Sequence, residues 1–295
     1  MKITTRKIIK ALVPYGILVL RQKVIQKYQQ KRRLKKRKTL SLAIHLVDHC
    51  NLNCKGCDNF SCIADEKYHS VRSLENDFRR IFELAGGKID GINLLGGEPL
   101  LHPELIKIIN IAGKYFSRTN LGLVTNGVLL LKQEDIFWET CKNNNVKVII
   151  TKYPINLPFV KIEETAKKHG TLLQYFGDTG TMLKQMYKWP LNLQGTEDKQ
   201  KSFELCFKSN TCMALDDGKI YTCATIPYIK YFNKYFETNL EVSEKDYIDI
   251  YSVKNIEEIF EFLRKPMPFC RYCNIKGVVH DIKWETSKKE ISEWV

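Results

Sequence analysis

Apolar residues along this chain alternate between short compact runs and longer stretches of helical period. "LAIHLVD" (Leu42 to Asp48) is a compact run and predicts a buried strand. "SVRSLENDFRRIFELAGG" follows with helical spacing and a Gly86-Gly87 stop, so a helix is expected there. "GINLLGGEP" predicts a second strand running into a loop, and "HPELIKIINIAGKYF" a helix with Pro103 in its first turn. "LGLVTNG" predicts a third strand, "QEDIFWETCKNNN" a helix, and "VKVIITKYP" a fourth strand. "FVKIEETAKKHG" reads as a helix ending at Gly170, and "TLLQYFG" as a fifth strand. Strands alternating with helices predict an α/β sheet or barrel of parallel strands, with functional groups at the strands' C-terminal ends. Beyond about residue 180 the period weakens. "ALDDGKIYTCA" still reads as a β-hairpin turning at Asp217-Gly218, and "NIEEIFEFLRKP" as a helix stopped by Pro266.

Charge divides the chain in two. Its 295 residues carry a net charge of +14. Residues 1–40 hold fourteen Lys and Arg and no acidic residue, and the remainder carries 33 of each sign. Apolar positions Ile3, Ile8, Ile9, Leu12 and Val13 precede the run "KRRLKKRK", a combination that fits an anionic membrane surface. Docking on the body, plain solvation and nucleic-acid contact are the other readings, the last the weakest. No apolar run reaches the roughly 18–20 residues of a membrane span. "ALVPYGILVL" is followed by "RQKVIQKYQQKRR" rather than a small-residue cleavage site. The expected location is cytoplasmic, with an option to sit peripherally on the inner membrane face.

In a reducing compartment ten cysteines argue for metal or catalysis rather than disulfides. "HCNLNCKGC" places Cys50, Cys54 and Cys57 within eight positions. Zinc would need a fourth ligand, for which Cys62 or His49 is near. A [4Fe–4S] cluster held by three thiolates would leave one iron open to a small molecule. The cysteines alone leave both readings standing.

Two further motifs decide between them. Cys50-x3-Cys54-x2-Cys57 ends the first strand, Gly96-Gly97-Glu98-Pro99 follows the second, and "VTNG" (Val124 to Gly127) follows the third. In this order and spacing they resemble the radical S-adenosylmethionine (radical SAM) enzymes. The resemblance implies a partial (β/α)6 TIM-like barrel with a small C-terminal β-hairpin and helix extension that binds a cluster. It divides the chain into a basic arm at 1–40, a core at 41–195 and an extension at 196–295. It implies a [4Fe–4S] cluster on Cys50, Cys54 and Cys57, with SAM chelating the open iron. Gly96 and Gly97 would let backbone approach the methionine part, Glu98 would accept from its ammonium, and Pro99 would stiffen the turn. Asn126 would contact ribose or carboxylate. An external low-potential donor of flavodoxin or ferredoxin type would supply the electron. The chain departs from the family at Gly56, where an aromatic residue beside the adenine is common; Phe60 is the expected substitute.

Cys212-x5-Gly218-x4-Cys223 and Cys270-x2-Cys273 resemble the SPASM or shorter Twitch extension of such enzymes. That resemblance implies an auxiliary [4Fe–4S] cluster on Cys212, Cys223, Cys270 and Cys273, with Cys206 able to replace one of them. A four-cysteine zinc site is the alternative. The implied activity is hydrogen abstraction from substrate, leading to oxidation, epimerisation or cross-linking. A sugar or glycan is favoured, because the arm is too short and too charged for a leader-peptide module. A peptide- or protein-modifying maturase is the alternative. The nucleotide reaction of molybdenum-cofactor synthesis is not expected, since the sequence ends "ISEWV" rather than in paired glycines. A zinc-stabilised adaptor for nucleic acid or membrane would leave "GGEP" and "VTNG" unexplained.

Overall fold

The computed structural model describes residues 38–176, 186–209, 211 and 213–295. The arm's membrane contact therefore falls on residues of which 1–37 lie outside the described set, as does Cys212. Lys38–Val295 is one compact unit.

Five strands alternate with helices as the sequence predicts: β1 (Leu40–Val47), β2 (Ile89–Gly96), β3 (Asn120–Thr125), β4 (Lys147–Ile150) and β5 (Leu173–Tyr175). The intervening helices are α1 (Val71–Ala85), α2 (Leu105–Phe116), α3 (Asp135–Asn143) and α4 (Phe159–His169). Further on come β6 (Met186–Lys188), α5 (Lys199–Leu205), β7 (Met213–Asp216), β8 (Lys219–Tyr221), α6 (Thr225–Phe236), β9 (Tyr247–Asp249), α7 (Ile256–Leu263) and β10 (Val279–Ile282). The main sheet runs β5-β4-β3-β2-β1-β7-β8-β9. Strands β1 to β5 pair in parallel, and β7 joins β1 in parallel with Leu42 opposite Met213 and Ile44 opposite Leu215. Six parallel strands side by side in an open sheet form the partial barrel. The hairpin turns at Asp217 and Gly218, both with positive φ, and it continues the sheet rather than standing apart from it.

Side-chain alternation sets the layers. Leu40, Leu42, Ile44 and Leu46 are fully buried in a cluster with Phe78 and Ile81 of α1. His45 faces the other way and stacks on Tyr228 of α6, ring centroids 3.9 Å apart. Helix α1 starts where Ser70 accepts from the Ser73 N–H and stops at Gly86 in the left-handed region. Helix α4 stops the same way at Gly170. Proline placement differs from expectation. Pro103 precedes α2, which begins at Leu105, and Pro99 opens a 3-10 turn instead. Helices α5 and α6 carry no clear apolar period and escape the sequence reading. Pro227 near the start of α6 is tolerated because the first-turn amides lack helical partners anyway. Helix α6 packs its aromatic residues with Phe60, Phe269 and Trp294 into a second core.

Candidate functional site

The three cysteines emerge directly from the C-terminal end of β1. The Gly97 N–H donates to the Val47 carbonyl at 2.7 Å and the Glu98 N–H to the His49 carbonyl at 3.2 Å, so the turn after β2 is clamped to the start of the cysteine loop. A Cβ on Gly96 would stand 2.2 Å from the Val47 carbonyl oxygen, and one on Gly97 1.9 Å from that of His49. The chain approach demands glycine before any ligand is considered.

Within the loop the thiols face one another. Cys50 Sγ accepts from the Leu52 N–H at 3.4 Å, and Asn126 Nδ2 lies 3.7 Å away. Cys54 Sγ accepts from Trp284 Nε1 at 3.2 Å. The buried Tyr153 phenol feels all three thiols and hydrogen-bonds Cys54. Burial pushes the Cys57 thiol up and the Cys50 thiol well above its ordinary range, and for Cys50 the neighbouring Glu98, Cys57 and Cys54 add to it. Thiols held up by burial, as at Cys50 and Cys57, need a cation to be thiolates, and metal coordination supplies it. The donor set fits an iron–sulfur cluster on this ground.

A crossing strap from the C-terminus holds the loop from outside. The Lys55 N–H donates to the Glu285 carbonyl at 3.0 Å, and the Ser287 N–H to that of Asn53 at 2.9 Å. Trp294 Nε1 donates to the Cys57 carbonyl at 3.0 Å. The sequence reading missed this strap; two tryptophans in the last twelve residues were its available signal.

The remaining motif residues interlock. Glu98 is fully buried, and burial raises its carboxyl to about 7. Oε1 accepts from the Leu100 N–H at 3.1 Å and the Thr125 hydroxyl at 2.6 Å, and Oε2 from the Asn126 N–H at 2.9 Å. Three of a carboxylate's about four acceptor positions are thus filled by the protein. Pro99 is buried beneath it. Asn126 also donates to Asn51 Oδ1 at 2.8 Å, which puts it against the cysteine loop. Gly56 has φ +64, and a Cβ there would meet the Glu293 carbonyl oxygen at 3.3 Å, so the strap accounts for the missing aromatic. Phe60 does not replace that aromatic: it is 1% exposed and packs against Phe232 and Trp294.

The second cysteine group also converges. Cys206, Cys223, Cys270 and Cys273 line one small cavity together with Met267 and Phe269. Burial raises the Cys206 and Cys270 thiols to about 12, and Cys223 pushes both further. Lys208 bridges the two groups. Its buried ammonium lies 2.5 Å from Asp58 Oδ2, next to Cys57, and 4.4 Å above the Trp189 ring. Cys62 and Cys141 are buried and belong to the cores.

The profile of the Radical SAM superfamily matches residues 44–150. A "GTP 3',8-cyclase" of Clostridium botulinum is 26% identical over 140 residues, 44% of either chain. An "S-adenosylmethionine-dependent nucleotide dehydratase" of Selenomonas ruminantium is 33% identical over 90 residues, 30% of either chain. The chain thus spans less than half the length of these curated relatives. Among solved structures, BtrN in complex with AdoMet and 2-DOIA superposes with a TM-score of 0.47 at 17% identity, covering 80% of this chain and 94% of that one. Native anSMEcpe with bound AdoMet superposes with a TM-score of 0.46 at 14% identity, covering 86% and 94%.

Proposed function

We propose that this chain, whose residues 44–150 are a radical SAM domain, abstracts a hydrogen atom from a substrate that carries sugar hydroxyls. SAM on a three-thiolate [4Fe–4S] cluster, reduced by an external low-potential donor, supplies a 5′-deoxyadenosyl radical for that step. The observation that carries the reading is the convergence of Cys50, Cys54 and Cys57 beside the Gly96–Glu98 turn. In this reading the three thiolates hold the cluster. Gly96 and Gly97 present backbone, and the fourth acceptor position of Glu98 takes the SAM ammonium. Asn126, in contact with Asn51 and Cys50, positions the cysteine loop. Trp284 and Tyr153 cover Cys54 and keep water from the sulfur.

The relatives are named for GTP and nucleotide substrates, which the sequence reading did not expect; a nucleotide carries sugar hydroxyls and so stands among the candidate substrates. A peptide substrate is the alternative. The test is 5′-deoxyadenosine release, measured by chromatography, with nucleotide sugars, free sugars and peptides as separate additions. Stimulation by a sugar-bearing compound, with deuterium transferred from it into 5′-deoxyadenosine, supports the reading. Stimulation by peptides alone contradicts it.

The second cysteine group we assign as the ligands of an auxiliary [4Fe–4S] cluster, with Cys206, Cys223, Cys270 and Cys273 as the set. Their common cavity supports this choice. Replacing Cys50, Cys54 and Cys57 by Ala should leave about four irons per chain. A further Cys206→Ala change should then abolish them.

A further inference from the structure

A second group of ligand-type side chains stands at the seam between β1 and β7, apart from the cysteines. Asp48 follows β1, His69 precedes α1, and Asp216 ends β7. One donor atom from each lies within 4.8 Å of the other two. His69 Nε2 is 3.1 Å from Asp48 Oδ1 and 3.6 Å from Asp216 Oδ1. All three residues are nine-tenths or more buried.

The surroundings are arranged as metal sites arrange them. The other ring nitrogen, His69 Nδ1, is 3.5 Å from Asp217 Oδ1, the outer carboxylate that orients a ligating imidazole. The other oxygen of Asp48, Oδ2, accepts from the Tyr231 hydroxyl at 2.5 Å and faces Lys67 at 3.8 Å and Lys230 at 3.9 Å. These groups leave Oδ1 turned inward. His45, 1% exposed, is a separate observation. Neither of its ring nitrogens has a hydrogen-bond partner, and Nδ1 points at Asp48 Oδ1 from 3.5 Å. Asp216 Oδ1 is buried and equally without a donor.

Magnitudes agree. Around a metal with bonds of about 2.0–2.2 Å, tetrahedral donors stand roughly 3.3–3.6 Å apart; His69 Nε2 lies 3.1 and 3.6 Å from the two aspartate oxygens, and all three donor atoms fall within 4.8 Å of one another. Lys67 also reaches Asp217 at 3.3 Å, so Lys67 and Lys230 share the carboxylates with His69.

We propose that Asp48, His69 and Asp216 bind one divalent transition-metal ion, with the unpartnered His45 ring against Asp48. Imidazole with carboxylate suits manganese, iron or zinc, rather than the all-oxygen preference of calcium or the soft preference for thiolates. Burial of every donor makes the site structural. It pins β7 and the segment before α1 to Asp48, two residues ahead of Cys50, and so fixes the root of the cysteine loop.

The test uses the iron-loaded protein, stripped of loosely held divalent ions and titrated with Mn²⁺ while free Mn²⁺ is followed by electron paramagnetic resonance. Hard Mn²⁺ is a poor match for thiolates. The expected result is a single class of Mn²⁺ site that Zn²⁺ displaces, with imidazole nitrogen coupling in the pulsed spectrum. His69→Gln and Asp216→Asn should each weaken binding by at least about tenfold, and their iron content checks that both fold. Nitrogen coupling is read on the unaltered chain and does not depend on the variants. No bound Mn²⁺, a bound ion without nitrogen coupling, or binding that survives both substitutions overturns the assignment.

Discussion

Gly97 and Glu98 are neighbours in the turn after β2, yet different forces fix them. Gly97 is required by backbone approach: a methyl group there would overlap the His49 carbonyl. Gly97→Ala should destabilise the fold by about 1–3 kcal/mol or more, since that neighbour is backbone and cannot rotate away. Urea unfolding and iron content after reconstitution both read this out, and unchanged values would mean the turn has room. Glu98 is governed by burial, which raises its carboxyl to about 7. Between an unfolded value of about 4.3 and that raised value, the folded chain keeps a proton that the unfolded chain has lost. Stability of the SAM-free protein should therefore fall as pH rises through this window. Glu98→Gln should remove that part of the slope, and equal slopes for both proteins would contradict the burial argument. At this scale much was legible. Cysteine and glycine motifs declare themselves because neighbouring positions do the chemistry. Asp48, His69 and Asp216 did not, because no local spacing brings residue 216 to residue 48.

Elements show the same division. Strands β1 to β5 and helices α1 to α4 follow from apolar period and from stops such as Gly86 and Gly170. Helix α6 was hidden because it is apolar around much of its circumference, burying Ile226, Tyr228, Ile229, Tyr231 and Phe232. The period weakens when a helix is enclosed on several sides. The C-terminal strap was hidden for another reason: besides its two tryptophans and the Lys55–Glu285 pair, it holds the cysteine loop by backbone hydrogen bonds, which any sequence can make. Trp294 is its anchor, packed on Phe60, Phe232 and Phe236. Trp294→Ala should cost about 3–5 kcal/mol and lower iron loading at Cys50, Cys54 and Cys57. Thermal unfolding and iron content test this, and full loading would show that the loop holds its shape without the strap. Which cysteines meet in the second group was likewise unreadable from spacing. Cys206 reaches the cavity because it caps α5, and nothing near it in sequence announces that.

Across the whole molecule, the neutral body and the basic arm are separate matters. Among the described residues no helix is long and apolar enough to cross a membrane. In composition the arm fits an anionic surface as well as it fits docking on the body or plain solvation. A chain without residues 1–37 should sediment less with anionic vesicles than the full chain, and equal sedimentation would end that reading. The body joins the region that the Radical SAM profile matches, residues 44–150, to a second thiol cavity through one continuous sheet and the Lys208–Asp58 bridge. The most direct measurement is iron and acid-labile sulfide per chain after anaerobic reconstitution, taken with 5′-deoxyadenosine formed from SAM under strong reductant. About eight irons with SAM cleavage, falling to about four without cleavage when Cys50, Cys54 and Cys57 are Ala, is the predicted result. Cleavage that survives loss of those three cysteines, or a chain that assembles no iron, would contradict it.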